Sequence, residues 1–203
     1  MIKSLIVGSM QTNCYVLYNE NKECILIDPG SQGQKISKYI EENELTLLAV
    51  LLTHGHFDHV GAVDYIYHKY HCPIYTHQAT LDLLNDSRLN LSYFEESFIV
   101  YSPIECVETK ISIGSFQFIW MLLEGHCQGS SMIYYPKDNI IFSGDVLFKG
   151  SIGRFDFPTS SHYETKKSMH FIKQLDFDAK ILPGHGDETS LSYEKEHNPY
   201  LKS

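Results

Sequence analysis

The feature that most constrains the fold is an uninterrupted apolar run that ends in a cluster of histidines. Residues 47–52 read Leu-Leu-Ala-Val-Leu-Leu, and residues 53–59 read Thr-His-Gly-His-Phe-Asp-His. A short run that is apolar at every position is typical of a β-strand covered on both faces, so we expect a buried sheet. Polar side chains directly after such a strand lie at the edge of the sheet, where binding sites are common.

The spacing of these histidines suits a metal site. Residues two apart in an extended segment point the same way, so His54 and His56 can bind one cation through nitrogens at about 2.0–2.1 Å. Asp58 and His59 follow a bend and could face a second cation, about 3.5–4 Å from the first. Alternatively, Asp58 could cap the following helix, and isolated histidines are usually ordinary surface or core residues. Three histidines and an aspartate within six positions favour the metal site.

Composition limits the classes of function. The chain has 203 residues, enough to bury a core without stapling, and we expect a single domain over residues 1–203. The formal net charge of −9 disfavours nucleic acid as a partner, because that binding depends on clustered Lys and Arg. The apolar run from Leu5 to Val7 is too short for a signal peptide or a membrane span, which predicts a cytoplasmic protein without membrane attachment. The five scattered cysteines lack CxxC spacing, which predicts reduced thiols.

The spacing of apolar residues predicts two halves with a similar order of strands and helices. Predicted strands lie in residues 12–28 (a hairpin), 47–52, 73–76, 111–122 (a hairpin), 132–135, 140–143 and 180–182. Predicted helices span residues 31–43, capped by Ser31, then 59–70 and 162–175. Residues 83–101 read as a helix end and a long loop, a kind of segment that often covers sites. This order predicts an α/β fold in which two sheets pack face to face with helices outside, a four-layer αββα sandwich.

An ordered set of motifs resembles a known family. The matching segments are His54-x-His56-x-Asp58-His59, Gly125-His126, Ser143-Gly144-Asp145 and Pro183-Gly184-His185-Gly186. The first resembles the HxHxDH signature of the metallo-β-lactamase superfamily, and the others resemble its later motifs in the same order. The resemblance spans nearly the whole chain and implies the metallo-β-lactamase fold.

The resemblance also implies a centre of two metal ions. Three histidines would hold one ion, a carboxylate and two histidines would hold the other, and a second carboxylate would bridge them. In that order the implied ligands are His54, His56 and His126; Asp58, His59 and His185; and Asp145. Zinc is the expected metal because nitrogen and oxygen ligands suit it, with iron or manganese as alternatives. Asp58 would also orient the attacking water and handle its proton.

Several neighbouring residues have more than one interpretation. Asp28, in the turn Asp28-Pro29-Gly30, either orients metal ligands or closes the turn. Phe57 stands where the flavodiiron branch of the superfamily has a carboxylate, which disfavours electron-transfer chemistry. Cys127, beside His126, is expected to be a packing residue. The histidines outside these motifs are expected at the surface: His68, His71, His77, His162, His170 and His197.

The segment from Leu147 to Phe157 resembles the GSxGRxDF segment of single-domain glyoxalase II-like hydrolases, which cleave thioesters such as hydroxyacyl-glutathione. The implied substrate is a small thioester, whose carboxylate Arg154 could bind through its planar guanidinium. A salt bridge between Arg154 and Asp156 is the alternative. The chain departs from this family in two ways. Only eighteen residues follow His185, too few for the helical domain that holds glutathione in two-domain enzymes, and residues 124 and 128 are not the usual prolines.

The sequence leaves three functions open. The first is hydrolysis of a thioester, or of another small ester or a lactone. The second is a persulfide dioxygenase with a single iron, because that branch shares the GRxDF segment. The third is a closed, non-catalytic metal site, which seven candidate ligands fit less well than an open site for two ions.

Overall fold

The computed structural model describes residues 1–202, which form two six-stranded β-sheets with helices on their outer faces. The strands are β1 (Ile2–Val7), β2 (Thr12–Tyr18), β3 (Glu23–Ile27), β4 (Thr46–Leu51), β5 (Ile74–Thr76), β6 (Glu105–Cys106), β7 (Lys110–Ile113), β8 (Phe116–Leu122), β9 (Ser131–Tyr135), β10 (Ile140–Gly144), β11 (Lys180–Pro183) and β12 (Thr189–Ser190). The helices are α1 (Gly33–Glu42), α2 (Phe57–Val60), α3 (Val63–Tyr70), α4 (Leu81–Leu84), α5 (His162–Gln174), α6 (Leu191–His197) and α7 (Pro199–Lys202).

Strand direction brings several strand ends to one edge of the molecule. The first sheet has the order β1-β2-β3-β4-β5-β6, and β3 to β6 run parallel to one another. The second has the order β12-β11-β10-β9-β8-β7, with β10 and β11 parallel. The carboxyl ends of β3 and β4 therefore lie together, as do those of β10 and β11. The loops that follow these strands carry most of the predicted metal ligands.

The inner faces of the two sheets form the central core. Along β2, Tyr15 and Leu17 face the second sheet, whereas Cys14 and Val16 face the helices, as the two-residue period of a strand requires. The second sheet contributes large aromatic side chains, including Phe118. This interleaved layer fixes the distance between the sheets, and with it the distance between their loops.

The outer faces are covered by helices, as a four-layer αββα sandwich requires. Ile36 of α1 and Ile66 of α3 pack on the first sheet, and Met169 and Ile172 of α5 pack on the second. The apolar run at residues 47–52 packs on both faces of the first sheet and is buried except for the half-buried Leu48, as its sequence predicts. The predicted fold class is confirmed. Over residues 1–202, no helix combines the length and the apolar content needed to cross a membrane.

Two local predictions are wrong. The predicted helix 59–70 is broken into α2 and α3, because the chain between them packs on an earlier turn: the Ala62 N–H donates to the Pro29 carbonyl at 2.9 Å. Ser31 does not cap α1. The cap position is Gln32, in the left-handed region at φ 52°.

Other elements either match the prediction or were not predicted. Residues 83–101 contain the end of α4 and a 3₁₀ turn, Ser92–Phe94, within a longer loop, in agreement with the prediction. The elements that were not predicted from the sequence are β1, β6, β12, α6 and α7. Helix α6 lies near the candidate site, because it contacts the loop after β10.

Candidate metal centre

Four loops and the start of α2 bring the predicted ligands together. The loop after β4 supplies His54 and His56 and leads into α2, which carries Asp58 and His59. The remaining ligands follow β8, β10 and β11, in the order His126, Asp145 and His185. A backbone hydrogen bond from Asn13 to Gly184, 2.7 Å long, links the first sheet to the β11 loop. The structure thus gathers all seven residues into one cluster.

Three imidazoles form the histidine half of the cluster: His54, His56 and His126. The His56 Nδ1 lies 2.9 Å from the His126 Nε2, and the ring centroids of His54 and His56 are 4.9 Å apart. All three side chains are buried. One ligand atom from each lies within 4.8 Å of the others, close enough to share an ion after small adjustments.

The acidic half consists of Asp58, His59 and His185. The Asp58 Oδ2 lies 3.1 Å from the His185 Nε2 and 3.5 Å from the His59 Nε2. It also accepts a 3.0 Å hydrogen bond from the Thr12 hydroxyl, a contact that sequence reasoning missed. Asp58 lies within the first turn of α2 and does not cap it, because the cap position is His56. His185 is a quarter exposed, so this half faces solvent.

Asp145 lies between the two halves. Its carboxylate oxygens are 3.3 Å from the His59 Nε2 and 3.5 Å from the His126 Nε2. This position is the one that the family resemblance implies for a bridging carboxylate. Gly184 makes the close approach possible, because a Cβ there would lie 2.3 Å from the Asp145 Oδ1 and 2.6 Å from the His59 ring.

Asp28 supports the cluster from behind. Its Oδ2 lies 3.0 Å from the His59 Nδ1 and accepts a 2.6 Å hydrogen bond from the Thr53 hydroxyl. Its Oδ1 accepts a bond from the Thr53 backbone N–H at 2.8 Å. The same Thr53 hydroxyl lies 3.1 Å from the His54 Nδ1. Of the two interpretations of Asp28, orientation of ligands is the one that these contacts favour.

Burial lowers the pKa of each imidazole in the histidine half. It lowers the pKa of His56 to about 3, with repulsion from His126 acting in the same direction. The pKa of His54 falls well below its ordinary value, and that of His126 also falls. These imidazoles are therefore neutral near pH 7 and keep a nitrogen lone pair for a cation.

In the acidic half, by contrast, the pKa values of both histidines are raised. Burial opposes the charge of His59, but Asp58 and Asp145 outweigh it and raise the His59 pKa well above its ordinary value. Burial likewise opposes the charge of His185, whose pKa is raised by the hydrogen bond with Asp58. Burial alone would raise the pKa of Asp58, yet His59 and His185 hold it well below the usual range. The neighbouring carboxylates of Asp58 and Asp145 are stabilised by nearby positive charge, which a divalent cation would supply.

Three atoms of the cluster indicate that its donor set fits metal ions. The His54 Nε2, His56 Nε2 and Asp145 Oδ1 are buried without a hydrogen-bond partner. Buried polar atoms are normally paired, and unpaired ones call for an explanation such as an ion. Imidazole nitrogens and carboxylate oxygens, arranged in two adjacent groups, suit a dinuclear centre of zinc or iron.

Two phenylalanines flank the cluster, and sequence reasoning assigned a role to neither. The Phe157 ring centroid is 5.3 Å from that of His56, and the Phe148 ring is 6.1 Å from that of His185. The Arg154 carbonyl accepts a hydrogen bond from the His126 Nδ1 at 2.7 Å, which orients that imidazole. The Arg154 guanidinium stacks on Phe157 and makes two hydrogen bonds with Asp156, the predicted alternative. Substrate binding by Arg154 stays a prediction.

The loop that carries Phe148 is anchored by α6. The buried Glu194 accepts hydrogen bonds from the Gly150 backbone N–H at 2.8 Å and from the Thr189 hydroxyl at 2.7 Å. Asn198, directly after α6, donates from Nδ2 to Glu194 at 2.8 Å and to the Ser151 carbonyl at 3.0 Å. This pair was not predicted, because a Glu and an Asn four residues apart resemble ordinary surface positions.

The remaining predicted residues lie as follows. Cys127 is buried, with its Sγ 3.0 Å from the Ser130 hydroxyl, and burial raises the pKa of its thiol. Phe57 is the first residue of α2 and is half-buried. Of the six other histidines, His77 is half-buried and the others are exposed, close to the prediction.

Comparisons with known proteins agree with this geometry. A family model described as the metallo-beta-lactamase superfamily matches residues 7–185. A probable metallo-hydrolase of Bacillus subtilis, YqgX, is 38% identical and covers 96% of this chain and 94% of its own. The hydroxyacylglutathione hydrolase GloC of Haemophilus influenzae is 33% identical and covers 100% of this chain and 98% of its own.

Two solved structures are similar over nearly their whole length. The BLEG-1 B3 metallo-beta-lactamase is 38% identical with a TM-score of 0.94, and each chain is covered completely. TTHA1623, solved in a di-iron-bound form, is 32% identical with a TM-score of 0.87, covering 98% of this chain and 100% of its own. Together with the His and Asp cluster, the second supports a dinuclear metal site. The chain therefore belongs to the metallo-β-lactamase superfamily, as a metal-dependent hydrolase.

Proposed function

We propose that this protein hydrolyses a small thioester at a dinuclear metal centre. The observation that carries the proposal is the convergence of seven ligand-type side chains on a solvent-facing edge beside Asp58. Unpartnered buried atoms lie in the histidine half and on Asp145 between the halves. The implied ligands are those of the family: the histidine half for one ion, the acidic half for the other and Asp145 between them. Zinc is the metal we propose, with iron the nearest alternative.

The protein side chains divide the work of hydrolysis. Divalent ions held here would lower the pKa of water towards about 7 and polarise a carbonyl oxygen. Asp58, held as a carboxylate by its histidine neighbours, can accept a proton from an attacking water at Oδ2. Thr12 fixes the orientation of that oxygen through its hydroxyl. Asp28 holds His59 in place, so the acidic half keeps its geometry while substrate enters.

Support for a thioester comes from two sources. GloC, a hydroxyacylglutathione hydrolase by name, is similar to this chain over its full length. The segment 147–157, which resembles that of glyoxalase II-like hydrolases, lies beside the cluster, with Phe157 next to His56 of the histidine half and Phe148 next to His185 of the acidic half. We propose that these rings contact the acyl group. A small-molecule substrate, one domain over residues 1–203 and a cytoplasmic location stay predictions.

The test is turnover of a substrate panel by protein of known metal content. We expect about two zinc ions per chain and the highest kcat/KM on a hydroxyacyl-glutathione thioester, compared with a lactone, a phosphodiester and a β-lactam. The Asp58→Ala variant should stay folded and lose turnover by at least about 100-fold, the lower range for a lost acid–base group. The exposed His170→Ala variant is the matched control and should behave as wild type. One iron per chain with oxygen uptake on a persulfide, or near-normal turnover by the Asp58 variant, would overturn the proposal.

A second candidate is β-lactam hydrolysis. It is favoured by the 38% identity and complete mutual coverage with BLEG-1, a B3 metallo-beta-lactamase by name. The same donors would serve an amide carbonyl, so the panel decides between the two substrates. A kcat/KM higher for the β-lactam than for every thioester would make this second candidate the function.

A further inference from the structure

Asn13, at the start of β2, contacts the segment Pro183-Gly184-His185-Gly186 at three points. We call this segment the His185 loop. The Asn13 side-chain Nδ2 donates to the Pro183 carbonyl at 3.1 Å and to the Gly186 carbonyl at 3.0 Å. The Asn13 backbone N–H donates to the Gly184 carbonyl at 2.7 Å. One buried residue of the first sheet therefore binds three of the four carbonyl groups of a loop that begins 170 positions later in the chain.

The chemistry of this contact suits an amide side chain at position 13. Two carbonyl oxygens can share one atom of a side chain this short if that atom carries two N–H bonds, as the Asn amide nitrogen does. A carboxylate of the same size would place an oxygen against both carbonyls, and a hydroxyl could donate to one of them only. Because Pro183 precedes His185 and Gly186 follows it, the amide joins the two ends of the His185 loop.

The residues next to Asn13 contact the acidic half of the cluster directly. The Thr12 hydroxyl donates to the Asp58 Oδ2 at 3.0 Å. The Met10 carbonyl lies 3.1 Å from the His185 Nδ1, and the Nε2 of the same imidazole lies 3.1 Å from the Asp58 Oδ2. Successive side chains of a strand point to opposite faces, so Thr12 reaches Asp58 on one side of β2 while Asn13 reaches the His185 loop on the other.

We propose that Asn13 is a positioning residue for His185, holding its loop where the His185 imidazole and the Asp58 carboxylate can bind the same metal ion. The inference rests on the proposed dinuclear centre and adds a residue outside the implied ligand set. His185 is a quarter exposed, so packing fixes its position less than it fixes the buried imidazoles of the histidine half. Loss of the Asn13 amide should therefore weaken the binding of one ion, that of the acidic half.

The test is zinc binding by Asn13→Asp, measured by competition with a chromogenic chelator. We expect the variant to bind one zinc ion as wild type does and the other at least about tenfold more weakly, the lower end for a residue that orients a ligand. The added negative charge alone would strengthen the binding of a cation, so a loss of affinity reports the displaced loop. Asn13→Ala removes the contact without repulsion and should show a loss in the same direction, which keeps the test usable if Asn13→Asp does not fold.

Tyr15→Phe is the matched control. The Tyr15 hydroxyl donates to the same Pro183 carbonyl at 2.7 Å, and its removal leaves Asn13 joined to both ends of the His185 loop. We expect this variant to melt at a lower temperature in the metal-free form and to bind both zinc ions as wild type does. If Tyr15→Phe and Asn13→Ala lose zinc affinity to the same extent, the loop needs only an anchor at Pro183 and the inference is wrong.

Cadmium-113 NMR of the protein loaded with two cadmium ions per chain separates the two halves. Their donor atoms differ, so wild type should give two signals. In Asn13→Ala one signal should shift or broaden much more than the other. Unchanged signals, or wild-type affinity for both zinc ions in the two Asn13 variants, would overturn the inference. Because neither readout uses a substrate, a failure here is distinguishable from a failure to cleave thioesters.

Discussion

The Asp28 carboxylate and the His59 imidazole are joined at 3.0 Å, Oδ2 to Nδ1, beneath the predicted metal centre. The contact leaves the His59 Nε2 facing Asp58 and Asp145. The same carboxylate oxygen also accepts a hydrogen bond from the Thr53 hydroxyl. The Asp28 side chain therefore orients two residues, His59 and the Thr53 that precedes His54. The arrangement of the predicted metal ligands therefore depends on Asp28, a carboxylate that is not itself a predicted ligand.

Replacing Asp28 tests this dependence. In Asp28→Asn the charge that holds the His59 imidazole is lost, so we expect zinc affinity to fall by about 10- to 100-fold. Competition with a chromogenic chelator measures the affinity. Asp187→Asn changes an exposed carboxylate two residues from His185 and should bind zinc as wild type does. Equal affinities for the Asp28 variant and wild type would contradict the assigned role.

The close packing of Gly184 predicts a strong effect of a single methyl group. In Gly184→Ala the added Cβ would meet the Asp145 Oδ1 and the His59 ring, so those side chains must move apart and metal binding should be largely lost. Metal content after dialysis, measured by atomic emission, is the readout. Gly186→Ala is the control, because its Cβ would meet nothing within 4 Å although its φ of 74° is strained for alanine. If both variants keep two metal ions per chain, the close packing at Gly184 is not required for metal binding.

The five cysteines should differ in reactivity in the native protein. Cys106 is exposed on β6, whereas Cys14, Cys24, Cys72 and Cys127 are buried. Burial raises the pKa of Cys24 to about 12 and that of Cys72 to about 11, so both stay as unreactive thiols at pH 8. We expect about one thiol per chain to react quickly with a disulfide reagent and five to react after unfolding. Rapid reaction of Cys106→Ser would show that a second thiol is accessible.

Glu194 should be essential to the loop that it anchors. In Glu194→Gln an amide N–H₂ replaces one acceptor oxygen and faces a donor, either the Gly150 N–H or the Thr189 hydroxyl. Both donors are partly buried, so loss of one such hydrogen bond costs about 0.5–1.5 kcal/mol of unfolding free energy, which urea titration would measure. We also expect KM to rise more than kcat falls, because Phe148 moves while the ligands stay. The exposed Glu196→Gln should match wild type in both measurements.

The compact motif after β4 made the first part of the centre predictable. An apolar strand followed by two histidines in alternate positions specifies their place with little help from the rest of the chain. His126, Asp145 and His185 are single residues on distant loops, and nothing local distinguishes them from other loop residues. Only their order relative to a known signature identified them, and the roles assigned to them stay predictions until metal is bound.

Features that depend on contact between distant segments were not predictable. The break between α2 and α3 follows from packing on the turn at Pro29, about thirty residues earlier, so the apolar period of 59–70 alone suggested one helix. The hydroxyl of Thr12 reaches Asp58 only because β2 lies beside that helix. Such contacts have no sequence signal, since Thr and Gly are common in every loop.

The contact between α6 and the Phe148 loop has a consequence for how this protein can diverge. The loop that carries Phe148 is held by hydrogen bonds to Glu194 of α6 and to Asn198, and these two side chains bind that loop and not a predicted metal ligand. Substitutions in residues 191–198 can therefore reshape what the enzyme accepts while leaving its ions untouched. Change at the far end of the chain is a route by which relatives with the same metals could come to prefer different substrates.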